Sequence, residues 1–344
     1  MNPGCYTAVV TPFDGDAVDE TGLARLADFQ IQNGISGILA VGTTGESPTL
    51  AWGEHHHVVQ TYARLTRGKC LCIAGAGSNN TKEALSATRE AAEAGVDAVL
   101  LVDPYYNGPS SLEIRNEYVK PVAAAFPDLT VIPYVIPGRT GAQLLPEDLA
   151  LLYKAHPNVS TVKEATGNLD NMRRTRQCCG PEFSIFSGDD GLTYEMMTDP
   201  EIAAAGVISV VSNIAPKAMV ELVALLRAGQ TAAAKTLADA LSPLFGLVTV
   251  ITKEPTPYGE VVCRARNPLA IKTLMQLLGV PSGPCRPPLG KMSRSGLEKV
   301  VSIAKTVQTN NPEILVPLAE FFNVDIDARL NDERLWEGLY YPSY

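Results

Sequence analysis

The chain has 344 residues, 46% hydrophobic and 19% charged, which suits a sizeable buried core and excludes a disordered protein. A formal net charge of −9, with no basic run to offset it, argues against a nucleic-acid partner. No apolar run is long enough to span a bilayer, so a membrane partner is not expected either.

The N-terminus, Met1-Asn2-Pro3-Gly4-Cys5-Tyr6, enters a strand pattern at once without the charged start of a secretory leader, and a cytoplasmic enzyme is expected. Short β-branched runs then alternate with Ala-rich amphipathic stretches. The strand-like runs are Tyr6–Thr11, Gly37–Gly42, Cys70–Gly75, Ala98–Asp103, Thr130–Val135, Ser160–Glu164, Phe183–Ser187 and Gly206–Val211. Helical patterns lie between them at Asp19–Asn33, Trp52–Thr66, Thr81–Glu93, Ser111–Ala125, Pro146–Lys154, Leu169–Cys178 and Gly191–Asp199. Eight strands at a spacing of roughly 30 residues fit a parallel (β/α)₈ TIM barrel over residues 1–215. The alternative, a doubly wound open sheet, would normally carry a Gly-rich phosphate turn after its first strand, and Thr11-Pro12-Phe13-Asp14-Gly15 is not one.

Additional C-terminal helices are predicted at Pro216–Ala228, Thr231–Thr249, Pro268–Leu278 and Ser293–Gln308, making a helical region over 216–308. The remaining tail, 309–344, carries Ile314-Leu315-Val316, Phe321-Phe322, Trp336 and Tyr340-Tyr341, too much apolar surface to leave in water. It is expected to pack on the barrel or on a neighbouring subunit. The seven cysteines are an odd number without metal-like pairing and read as reduced thiols. The run His55-His56-His57 makes no chelating face, because adjacent helical residues point in different directions.

Polar and Gly-rich residues cluster just after the strands, on the face of a barrel where catalytic groups converge. Lys163 lies in the apolar run Val159-Ser160-Thr161-Val162-Lys163-Glu164. An ordinary lysine of pKa ~10.4 is neutral about once in 2,500 molecules at pH 7, a handicap of roughly 4.6 kcal/mol that burial can remove. Lys163 thus reads as a carbonyl-attacking amine or as a strand-end lysine snorkelling to solvent. Gly42-Thr43-Thr44-Gly45-Glu46 suits a small carboxylate, or is an ordinary strand-to-helix turn without the Lys-Ser/Thr of a phosphate loop. Arg139 has a fork suited to a carboxylate or to a surface salt bridge. Tyr134 lies at the end of the fifth strand and the pair Tyr105-Tyr106 at the end of the fourth, where a tyrosine can exchange a proton or simply pack. Ser187-Gly188-Asp189-Asp190 reads as a turn whose glycine lets a substrate approach and whose aspartates cap the next helix, or as an acidic metal pair.

Several ordered motifs together resemble the dihydrodipicolinate synthase/N-acetylneuraminate lyase family of class I pyruvate aldolases, from about Cys5 to Gln308. They are Val9-Val10-Thr11-Pro12-Phe13, Gly42–Ser47, Pro104-Tyr105-Tyr106-Asn107, Pro137-Gly138-Arg139-Thr140-Gly141, Lys163–Asn168, Ser187–Asp190 and Gly206–Val210. The resemblance implies that Lys163 forms a Schiff base with pyruvate, with no metal and no other cofactor. Tyr134 would be the general acid/base, with Thr43 and Tyr106 completing a hydroxyl relay, Tyr106 from a neighbouring subunit. Thr44 and the backbone at Ile208 would hold pyruvate, Gly188 would leave it room, and Arg139 would grip the carboxylate of L-aspartate 4-semialdehyde. The implied activity is condensation to 4-hydroxy-tetrahydrodipicolinate in the diaminopimelate route to lysine, by a homotetramer built as a dimer of dimers. Trp52, His55, Asn79, Glu83 and Tyr105 resemble a site for the inhibitor L-lysine, or pack a subunit interface. A related aldolase with a sugar-acid or other aldehyde acceptor, and a catalytically silent scaffold on the same fold, are the alternatives.

The chain departs from the family pattern at Pro133, at Val135-Ile136, at Asp103, in an extra stretch around Thr252–Arg266, and in its tail. These departures bear on acceptor geometry and subunit assembly.

Overall fold

In the computed structural model, which describes residues 1–344, eight parallel strands close into a barrel. They are β1 (Gly4–Ala8), β2 (Gly37–Ala40), β3 (Leu71–Gly75), β4 (Ala98–Val102), β5 (Thr130–Val135), β6 (Thr161–Glu164), β7 (Ser184–Ser187) and β8 (Gly206–Ser209). All eight expected strands are present, each ending one to three residues before, or at, its predicted end. β8 closes the ring by pairing with β1, Gly206 opposite Gly4. The contact is tight enough to require glycine: Gly206 has φ +153°, and a Cβ there would lie 1.9 Å from the Gly4 carbonyl oxygen.

Alternation along each strand divides the core in two. Tyr6, Leu39, Ile73, Leu100, Ile132, Tyr134, Phe186 and Ile208 point inward and fill the barrel. Cys5, Ile38, Cys72, Val99, Leu101, Val131, Val162 and Ile185 point outward into the larger core shared with the helices. Lys163 pairs in register with Tyr134 on one side and Phe186 on the other, so it shares their inward position between two aromatic side chains.

The outer ring comprises α1 (Glu20–Gln32), α2 (Trp52–Thr66), α3 (Thr81–Ala94), α4 (Ser111–Glu113, Ile114–Val119 and Lys120–Ala125 in succession), α5 (Pro146–Ala155), α6 (Leu169–Cys179), α7 (Thr193–Thr198) and α8 (Pro216–Arg227). Side chains of Asp19, Asn80 and Asn168 accept the free N–H groups that start α1, α3 and α6. The middle of α4 is wound more widely just before Pro121, which has no N–H to donate. α7 is shorter than the predicted Gly191–Asp199, because Asp190–Leu192 forms a separate tight turn. α8 packs against β1, so the outer ring extends beyond residue 215.

After the ring come α9 (Thr231–Phe245), α10 (Leu269–Leu278) and α11 (Arg294–Asn310). The helix predicted to Thr249 ends at Phe245. The β-branched run Val248-Thr249-Val250-Ile251-Thr252 favours extended backbone, and Thr249–Thr256 (β9) pairs with Gly259–Arg266 (β10) as an antiparallel hairpin. The tail forms α12 (Val316–Phe322) and α13 (Ile326–Asn331) and packs on its own chain. Phe322 meets Phe29 of α1 at 5.1 Å, and Arg329 donates to the Leu277 carbonyl at the end of α10 (2.7 Å).

One buried ion pair ties the helical region to the barrel. Lys272 Nζ on α10 lies 2.5 Å from Glu46 Oε1 in the loop after β2, with both side chains fully inaccessible. The ammonium also donates to the carbonyls of Thr11 and Pro284, and Glu46 Oε2 accepts the Arg286 backbone N–H. Burial pulls the Lys272 pKa below the ordinary lysine value, and Glu46 opposes the pull. Lys272→Met leaves an uncompensated carboxylate and should lower stability by about 3–5 kcal/mol in urea unfolding. The Glu46→Gln/Lys272→Met double variant should recover part of that loss. A double variant as unstable as the sum of the two single ones would show the pair to be uncoupled.

Candidate active site

Lys163 is 4% exposed, and its Nζ sits 4.3 Å from the centre of the Tyr134 ring. Burial lowers its pKa to about 7, with Asp190 pulling it up and Arg139 pushing it down. The same burial raises the Tyr134 phenol to about 12, an effect Arg139 opposes and Asp189 reinforces. At neutral pH the pair is therefore an amine about half in its neutral form beside a phenol that keeps its proton. Gly188 is what makes room: a Cβ there would come within 3.1 Å of Lys163 Cε and 2.9 Å of Ala165 Cβ.

Above Lys163 lies a cavity of about 350 Å³ walled by Thr43, Thr44, Tyr134, Arg139, Gly188 and Val210. Thr43, Tyr134, Ile136 and Arg139 also line a second chamber of about 380 Å³ that runs out to Trp52, Glu83 and Tyr105. Thr43 and Tyr134 thus stand between the two chambers. Asn267 Nδ2 donates to Thr44 Oγ1 (3.0 Å), which fixes that hydroxyl, and Arg139 donates to the Asn267 carbonyl (3.2 Å).

The structure brings together Lys163, Tyr134, Thr43, Thr44, Arg139 and Gly188. It does not bring Tyr106 to them: that ring is 88% exposed on the loop after β4 and lines neither chamber. Ile208 is wholly buried among the inner barrel side chains, and Val210 forms the cavity wall on that side. Of the five residues read as a lysine site or an interface, Trp52, Glu83 and Tyr105 line the outer chamber. Asn79 accepts the Tyr105 N–H (2.6 Å) and so sets the loop. His55 is buried beneath Trp52, its pKa pulled to about 4 by burial and by His56, with the Gly75 carbonyl exerting only a weak opposite pull.

Two expectations are corrected. Asp189 caps the turn that follows it, accepting the Gly191 N–H (3.0 Å), but Asp190 does not cap a helix. It turns inward, accepts the N–H groups of Val210 and Val211, and acts on Lys163 through space. Glu46, read as part of a carboxylate-binding turn, faces away from the cavity into its ion pair with Lys272. Sequence reasoning also left unassigned the hairpin residues Thr249, Ile251, Arg264 and Arg266, which wall the Lys163 cavity. The spacing Arg264-Ala265-Arg266, two cations on one face of a strand, is the signal that could have found them.

Residues 1–307 match the Dihydrodipicolinate synthetase family. The chain belongs to that family. The 4-hydroxy-tetrahydrodipicolinate synthase of Trichlorobacter lovleyi is 41% identical over 309 residues, covering 89% of this chain and 98% of the relative. The enzyme of the same name from Methylacidiphilum fumariolicum SolV superposes with a TM-score of 0.82 at 35% identity, covering 93% of this chain and 99% of that one. A dihydrodipicolinate synthase from Cyanidioschyzon merolae, solved with lysine bound, gives 0.80 at 34% identity over 88% and 97% of the two chains. The family match ends at residue 307, before α12 and α13.

In a family member with this site, the rate of imine capture should follow the neutral fraction of Lys163. With a pKa of about 7, the lowered amine gains its neutral form as pH rises through neutrality. Borohydride trapping of pyruvate should rise about tenfold from pH 6 to 8 and then level off. A rate still climbing about tenfold per unit above pH 8 would mean an unperturbed lysine.

Proposed function

We propose that this chain is a Schiff-base-forming lyase that condenses pyruvate with L-aspartate 4-semialdehyde to 4-hydroxy-tetrahydrodipicolinate. The observation that carries the reading is Lys163, a buried amine of lowered pKa at the floor of a cavity, set against the Tyr134 ring. Family membership and the names of the relatives support it.

The neutral Lys163 amine adds to the keto carbon of pyruvate, and water leaves to give the protonated imine. Loss of a proton from the pyruvate methyl group gives the enamine, with the lysine nitrogen as electron sink and no further cofactor. The enamine carbon then attacks the semialdehyde carbonyl, which takes up a proton as it becomes a hydroxyl. Attack of the semialdehyde's own amino group on the imine carbon closes the ring and expels Lys163. Tyr134 hands these protons over, a role supported by a phenol that is protonated at rest and a ring beside the amine. Thr43, at the join of the two chambers, leads the relay outward. Thr44 and the backbone near Ile208 hold the pyruvate carboxylate, and Arg139 meets that of the acceptor.

Tyr106 completes the relay from a second copy of the chain. Its exposure, with that of Tyr105 and Trp52 nearby in sequence and cavity, supports a homo-oligomer, a dimer of dimers by family likeness. The outer chamber suits L-lysine as inhibitor: Glu83 offers a carboxylate for an ammonium, and Trp52 and Tyr105 offer aromatic walls. No helix is long and apolar enough to cross a membrane, in keeping with a cytoplasmic biosynthetic enzyme.

Borohydride with pyruvate should add one reduced pyruvate to the Lys163 peptide, read by mass spectrometry; folded protein without the adduct would falsify the enzyme reading. Across a panel of aldehydes, aspartate semialdehyde should turn over fastest. Arg139→Ala should lower its kcat/KM by about 100-fold while sparing a carboxylate-free aldehyde. Titration with L-lysine should depress the rate, and Glu83→Ala should remove the effect. A flat rate across the titration rejects the regulatory site.

A further inference from the structure

The hairpin β9–β10 is built to present one face to the Lys163 cavity. Register places Thr249 opposite Arg266 and Ile251 opposite Arg264, and all four side chains line the cavity. The other face carries Val250 and Ala265, both buried in the main core. The hairpin is also anchored to α11: Glu254 accepts from the Ser295 hydroxyl, and Lys299 donates to the Ile251 carbonyl (3.3 Å). It is a fixed wall, held from behind.

Arg266 and Arg139 hold each other's segments in place. Arg266 donates to the Gly138 carbonyl (3.1 Å), while Arg139 donates to the carbonyl of Asn267, the residue after Arg266. Each uses part of a five-donor fork this way, leaving N–H groups over at the cavity. None of Arg139, Arg264 and Arg266 has an acidic partner in an ion pair. Of the two carboxylates lining the cavity, Asp190 turns one oxygen to the Val210 and Val211 N–H groups and Asp189 accepts from Gly191, so neither is spent on a guanidinium. Three guanidinium groups against two carboxylates leave one positive charge in excess at the cavity, which an anionic ligand would neutralise.

We propose that the hairpin is the acceptor-reading wall of this site and that Arg266 acts with Arg139 as a joint clamp on the carboxylate of the incoming aldehyde. Arg264, two register pairs further along on the same face, draws that anion in. The inference rests on the aldolase reading above and adds to it a specificity residue from a segment outside the shared motifs.

The test uses the full-length protein and Arg266→Gln, which keeps a donor for the Gly138 carbonyl but removes the charge, beside Arg266→Lys, which keeps the charge. Arg266→Gln should raise KM for aspartate semialdehyde at least about tenfold, with KM for pyruvate and turnover of a carboxylate-free aldehyde within about twofold of the parent. Arg266→Lys should restore much of the loss. Equal loss toward pyruvate and both aldehydes, or no loss at all, overturns the proposal and leaves Arg266 a brace. If the parent turns over no aspartate semialdehyde, the function proposed above fails by itself. The variants are then compared by binding of succinate semialdehyde to pyruvate-loaded enzyme. Weaker binding in Arg266→Gln supports the clamp, and unchanged binding overturns it.

Discussion

Much of this molecule depends on the ion pair between Glu46 and Lys272, two charges wholly removed from water and held 2.5 Å apart. Removing either charge from water costs several kcal/mol by itself, so the pair forms only if α10 docks with Lys272 facing the loop after β2. Asn267, five residues earlier, reaches the same loop at Thr44. The loop that carries Thr43 and Thr44 is thus held by a helix that lies outside the barrel ring. The geometry of the cavity mouth is inherited from that docking.

The same desolvation is used for chemistry at Lys163. There no carboxylate makes direct contact, and burial lowers the pKa with only the distant Asp190 to oppose it. The two lysines show how one physical effect yields opposite roles. Lys272, with an acid in contact and two carbonyls around it, is locked. Both ammonium positions lie over an aromatic ring, Tyr134 and Phe13, and what leaves Lys163 reactive is that Asp190 acts on it only from a distance.

The barrel was legible because it is local. Short β-branched runs such as Ala98–Asp103 or Thr130–Val135, and the amphipathic stretches between them, depend only on near neighbours in the chain. Lys163 stood out for the same reason, as a cation in an inward register position. The motifs around Thr43, Tyr134 and Arg139 carried the family resemblance, and the cavity gathers them. Thr249 was misread because its strand partner, Arg266, lies across the hairpin and is not visible to a helical period. Asp190 was misread because a capping aspartate and a buried one look alike until β8 arrives beside it.

By itself, then, the sequence determined a ring of alternating strands and helices, an amine in the ring's interior, and the kinship of its motifs. Tertiary structure decided what those residues meet: Glu46 takes Lys272, Tyr106 faces outward, and Arg264 and Arg266 join Arg139 at one cavity. The physical reason is range. Periodicity and capping are fixed within a few residues, whereas a contact such as Arg139 with Asn267 spans 128 positions and exists only once the barrel has closed.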